Sequence, residues 1–194
     1  MTQNPLSVYR LLPAFGDVRT LLFGPALSGV IRWQIGRSDG EPPASLTAEW
    51  DGNPRLPDAE FPSGYPGVPV LSARLADALG EDLRRAGRLA PVEIEGTDEG
   101  AYLFSVVEAV VDCVDLRRSS RPKKATGQMK LTVFRPEALP AALPAFRVPE
   151  FPGGVHWNGW AVDRLSTLLG ERLETRLIWS EDPTLTPHPD PWGF

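Results

Sequence analysis

Two histidines, one cysteine and a handful of carboxylates are the residues whose chemistry could make or break bonds in this 194-residue chain. His156 lies in Gly153-Gly154-Val155-His156-Trp157, where an imidazole can face a cleft and serve as the base of a hydrolase, with Glu150 or Asp163 as its carboxylate. The competing reading, which we take, is a partly buried strand histidine with a backbone partner. His188 falls in a Pro-rich tail and reads as a surface residue. Cys113 sits in Val110-Val111-Asp112-Cys113-Val114, an apolar setting that raises a thiol pKa and makes it an inert small hydrophobe. Glu108, Asp112 and Asp115 would suit acid/base work or a divalent cation if they converged, but strand alternation places Asp112 and Asp115 on opposite faces. One cysteine and two distant histidines do not assemble a zinc site. Gly64-Tyr65-Pro66-Gly67-Val68-Pro69 has prolines where a phosphate loop needs N–H groups. The sequence therefore predicts no catalytic residue, no metal and no cofactor.

Residues that could bind a partner are easier to find. Between positions 117 and 130 there are six basic residues and no acidic one, which leaves 14 basic against 25 acidic residues, or −11, in the rest of the chain. Arg117, Arg118, Arg121, Lys123 and Lys124 can meet an acidic partner, the other reading being a solvated hairpin connection. This stretch has no interleaved aromatics for base stacking, and the acidic body opposes phosphate, so no nucleic-acid partner is expected. Trp157, Trp160 and Trp192 lie in Gly/Pro-rich surroundings, where an indole can anchor an interface or pack beneath irregular loops.

The elements that must position these groups follow from periodicity. Short strands bounded by Pro or Gly read at 6–12, 18–23, 30–35 and 46–50, an N-terminal meander. A Pro/Gly-rich connection spans 51–69. Leu75, Leu79 and Leu83 predict a helix over 72–86, with Ser72 as N-cap and Gly87 as its stop. A hairpin of 92–94 with a long run at 102–115 follows, then a strand at 129–134 exposing Lys130 and Thr132, and a short strand at 145–148. A second helix runs from about 159 to 169 or 173, capped by Asn158, and a strand at 175–179 closes the pattern. Residues 183–194 are too Pro-rich for either state and are expected to lie extended on the surface. The expected fold class is α+β: one domain in which an antiparallel sheet is packed by two main helices, with a β-rich segment over 1–50 and an α+β core over 70–182.

Composition agrees with a self-sufficient globular chain, with 42% apolar and 23% charged residues. A lone cysteine suits a reducing compartment. The N-terminal residues lack a secretory pattern, and no apolar run reaches the length of a membrane span. A cytoplasmic location without a membrane partner is expected.

The order Val68-Pro69-Val70-Leu71-Ser72, a leucine-spaced helix, Pro91-Val92-Glu93-Ile94, Tyr102-Leu103-Phe104-Ser105-Val106-Val107 and Val111-Asp112-Cys113-Val114-Asp115, with Ser119 or Ser120 shortly after, resembles a group of bacterial immunity proteins from polymorphic toxin systems. The likeness continues through Phe134-Arg135-Pro136-Glu137 and Ala145-Phe146-Arg147-Val148 to the helix after Val155, covering about 66–180. It implies an α+β binder, not an enzyme, that occludes a cognate toxin in the cytosol. The alternatives are the His156 hydrolase and a regulatory interaction module built on the basic loop.

Overall fold

The computed structural model describes residues 5–37 and 40–193. Expectations about the first four residues and Phe194 lie outside them. In chain order the first half contains β1 (Ser7–Pro13), β2 (Thr20–Phe23), α1 (Ala26–Gln34), β3 (Leu46–Asp51), β4 (Val70–Ser72), α2 (Ala73–Leu79), α3 (Glu81–Ala86) and β5 (Gly87–Ile94). The second half adds β6 (Tyr102–Val107), β7 (Ala145–Val148), β8 (Phe151–Asn158), α4 (Gly159–Leu169) and β9 (Leu173–Ser180). The class is α+β, with two sheets: a four-stranded one ordered β7-β8-β1-β9 and a five-stranded one ordered β2-β3-β5-β6-β4. No helix among the described residues is long and apolar enough to cross a membrane.

Period-two alternation explains how each sheet feeds two cores. On β1, Leu11 points into a central core with Leu75, Leu79, Trp157 and Leu165, while Val8 points into a second core with Phe146, Ile178 and Trp192. The helices α2 and α4 fill the central core. On the five-stranded sheet, Leu71 enters that same core, with Leu89 and Leu103 packed against it, whereas Phe104, Val92 and Leu46 face a third core that receives Val30 of α1.

Several expectations change. Residues 30–35, read as a strand from their β-branched start, form the end of α1 and its C-cap, Ile35: Ala26, Leu27, Val30 and Trp33 recur at helical spacing against the third core, and that burial outweighs local β preference. β1 does not join an N-terminal meander; it lies between β8 and β9, so the chain's two ends build one sheet. The helix over 72–86 is broken into α2 and α3 at Gly80 (φ 49°, ψ −127°), although Ser72 caps it as expected, accepting from Leu75 N–H at 3.3 Å. The run after Val107 is irregular, and 129–134 is not a strand but contributes one bridge, Val114 to Phe134. Thr132, expected to be exposed, is buried. The side chain of Asn158 makes no cap bond; it donates to the carbonyls of Pro140 and Leu143. The tail is not wholly superficial, because Trp192 is only 4% exposed.

Arg147 ties the sheets together from a buried position. Its guanidinium donates to the carbonyls of Val107, Gln34 and Pro152, and stacks 4.6 Å from the Trp33 ring. Gln34 ends α1, so the cation also meets the negative end of that helix. Gly87, where α3 turns into β5, is required for a different reason: a Cβ there would collide with the Val106 carbonyl oxygen. Gly87→Ala is therefore expected to lower stability by roughly 1–3 kcal/mol through overpacking. A urea midpoint equal to that of the parent would contradict the close approach.

Candidate functional site

Over β2, β3 and the end of β5 from Pro91 onward, the five-stranded sheet has one face packed on the third core with α1 and the other open. Register decides which residues occupy the open face. Leu22 pairs with Glu49 and Thr20 with Asp51 across β2 and β3, and Thr47 pairs with Glu93 across β3 and β5. Paired residues share a face, and alternation then sets Thr47, Glu49 and Asp51 together. Glu95 and the turn residues Asp98 and Glu99 extend the patch, and all six carboxylates are exposed. None of them forms an ion pair among the described residues. Like charges two residues apart on a strand stand about 7 Å from each other and repel by about 0.6 kcal/mol in water. The face thus carries repulsion that a cationic surface would relieve.

Two features give this face shape as well as charge. Leu22 is 43% exposed on β2, directly beside Glu49. At the far end, Thr47, Pro91, Glu93, Glu95, Asp98 and Glu99 border a cleft of about 510 Å³. The face therefore combines one exposed apolar side chain with six carboxylates that have no cationic partner among the described residues.

The residues singled out from sequence are placed differently. Arg117, Arg118, Arg121, Lys123 and Lys124 are exposed on an ordered loop. Trp157, expected at an interface, is 2% exposed and packs edge-on to Phe61 in the central core, because its strand position faces the helices. Trp160 is half-buried, its indole N–H donating to the Ala141 carbonyl at 3.0 Å with Arg164 stacked on the ring. It remains at the surface but belongs to neither charged patch.

The hydrolase constellation does not come together. His156 is fully buried in a box of Phe134, Phe146, Phe151 and Trp192, with ring centroids 5.1–6.4 Å away. Among the described residues no hydrogen bond or ion pair joins it to Glu150 or Asp163, and both ring nitrogens lack a partner of normal geometry. Burial pushes its pKa down to about 3, against a weak opposing pull from the backbone of Gly154 and Phe146. Asp163 instead borders a small cleft with Trp160. Cys113 is buried, and burial first, then the Glu150 charge, pushes the thiol up to about 12. Asp112 and Asp115 are not separated by strand alternation as expected, since their segment is irregular; both border one cleft with Glu150. Each is already engaged, Asp112 with Arg135 at 2.9 Å and Asp115 with the N–H groups of Arg117 and Arg118. No group of three or more potential ligands for a metal ion occurs among the described residues.

The acidic face was missed in the sequence, although its signal was there. Thr47-Ala48-Glu49-Trp50-Asp51 and Pro91-Val92-Glu93-Ile94-Glu95 both alternate outward carboxylates with inward apolar residues. What the pattern does not tell is that β3 and β5 are adjacent and parallel, which merges two short acidic rows into one surface. Compared with known proteins, the chain matches no family model and no curated protein.

Proposed function

We propose that this protein is an immunity, antitoxin-like protein that binds a cognate bacterial toxin domain in the cytosol and neutralises it by occlusion. The observation that carries the reading is the open face of β2, β3 and β5, with six exposed carboxylates unpaired among the described residues and Leu22 beside them. Such a face suits a basic toxin surface. Opposite charge raises the association rate, and desolvated contacts around Leu22 hold the complex. The resemblance over about 66–180 points the same way, and the acidic rows at 47–51 add a contribution from outside that stretch. The sheet underneath is rigid, so the docking face is formed before the partner arrives.

The test is to mix the purified protein with the product of the neighbouring gene. Co-elution and protection from the toxin are expected. Reversing two charges, Glu49→Lys with Glu93→Lys, should weaken binding at least tenfold, mainly by slowing association, with a shallower salt dependence. Absence of both co-elution and protection would sink the reading. Unchanged kinetics in the reversed variant would leave the immunity role standing but move its surface elsewhere.

A further inference from the structure

The basic segment is built as a platform and not as a loose connection. Ser120 N–H donates to the Leu131 carbonyl at 2.9 Å, and Leu131 N–H returns a bond to the Ser120 hydroxyl at 3.0 Å. The Ser119 hydroxyl likewise accepts from Val133 N–H at 2.9 Å, and Asp115 N–H donates to the Val133 carbonyl at 2.8 Å. Further out, Lys123 N–H donates to the Gln128 carbonyl and Gly127 N–H to the Lys123 carbonyl. Met129, 1% exposed, pins the returning arm into the second core.

What the platform displays is six exposed cations: Arg117, Arg118, Arg121, Lys123, Lys124 and Lys130. None forms an ion pair among the described residues. Lys130 and Leu131 also form the lip of a cleft of about 340 Å³ lined further by Ser120, Ile178, His188 and three prolines of the tail. Leu131 is 48% exposed there. The cleft has room for one bulky apolar side chain; Lys130 is the platform cation on its rim, while Arg117 borders a separate cleft with Asp112, Asp115 and Glu150.

We propose that residues 117–131, together with the prolines of the tail, form a second docking site, and that its occupant is an acidic protein segment bearing one bulky apolar anchor. The anchor enters the cleft beneath Leu131 while carboxylates on either side meet Lys130 on its rim and Arg121, next to the rim residue Ser120. Nucleic acid fits less well. Residues 117–130 contain no aromatic side chain on which a base could stack, and the remaining chain at −11 repels a long polyanion. A short acidic segment avoids that repulsion, because charges farther than about 8 Å are screened at physiological salt. The site is separate from the acidic sheet face, and the inference does not rest on the immunity reading.

The test uses the full chain and a labelled oligoglutamate peptide with one central phenylalanine, read by fluorescence anisotropy at low salt. Saturable binding is expected, roughly tenfold tighter than for the same peptide with serine in place of phenylalanine. Arg121→Glu with Lys130→Glu should weaken it at least tenfold. Leu131→Ser should abolish the preference for phenylalanine, and Glu49→Lys with Glu93→Lys should leave binding no weaker. Equal affinity for the serine peptide, tighter binding of an oligothymidylate of equal charge, or no saturable binding at all would overturn the proposal. None of these results bears on co-elution with a toxin, so the two readings fail separately.

Discussion

Trp192→Ala is expected to destabilise the protein by roughly 3–5 kcal/mol, the range for removing a large buried aromatic side chain. Its indole is held on several sides. The ring meets Phe151 edge-on at 4.7 Å and His156 at 5.1 Å, and the Arg10 guanidinium lies 5.6 Å from its centroid. The backbone on each side of it is clamped: Arg10 donates to the carbonyls of Pro191 and Gly193, and Arg176 donates to Gly193 at 2.6 Å. Arg10 is itself buried, and burial together with the nearby Arg176 charge lowers its pKa to about 10, so it stays cationic while donating to carbonyls. Urea denaturation of the variant would measure the loss. A change below about 1 kcal/mol would mean that the tail is an ornament on a core complete without it.

The second large effect is acid lability arising from His156. Its folded pKa, about 3, lies far below the ordinary value of 6.5, so the native state holds the imidazole neutral where the unfolded chain already binds a proton. The associated stability is complete above about pH 6.5 and is lost as pH falls toward the folded value, by up to about 1.4 kcal/mol per pH unit. The groups facing the ring from 134, β7, β8 and the tail are Phe134, Phe146, Phe151 and Trp192, and the Arg10 cation across the indole further disfavours an imidazolium. The carboxylates whose pKa is lowered, Glu60 beside Arg74, Asp82 beside Arg85 and Asp182 bonded by Thr184, add acid sensitivity only below about pH 4.5. The interval from pH 6.5 to 5 therefore isolates the histidine. Urea midpoints there should fall steeply for the parent and much less for His156→Phe. If the variant does not fold, the His156 ring-proton resonances of the parent, assigned by their persistence in a His188→Gln variant, provide the same test, since they should not titrate above pH 5. An ordinary titration near 6.5 would refute the sealed box. Trp192→Ala links the two predictions, because opening one wall to water should raise the histidine pKa.

Parts of this architecture were legible before any coordinates. Leucine spacing placed the helix after Ser72 and its cap, and the second helix begins where Gly159 predicts. The raised thiol pKa of Cys113 followed from its apolar neighbours alone. Other features were hidden. Val30 and Ile31 favour strand locally, yet the side chains that can reach the third core recur at helical spacing, so α1 forms. Tyr102 through Val114 looks like one continuous strand, but pairing ends at Val107, where the chain meets the end of α3 through bonds from Glu108 and Ala109 to the Ala86 carbonyl. The basic loop was visible as charge. Its rigidity was not, because the serine bonds and the Met129 anchor join residues distant in sequence.

Residue order by itself determined the α+β class, the helix after Ser72, and the segregation of positive charge into one loop, because these depend on periodicity and composition within short windows. Only the tertiary structure decided that β1 joins the last strands, that the tail tryptophan seals an imidazole, and that two acidic rows merge into one face. Those outcomes rest on contacts between residues far apart in the chain, whose burial energies exceed any local preference and leave no trace in the pattern of their neighbours.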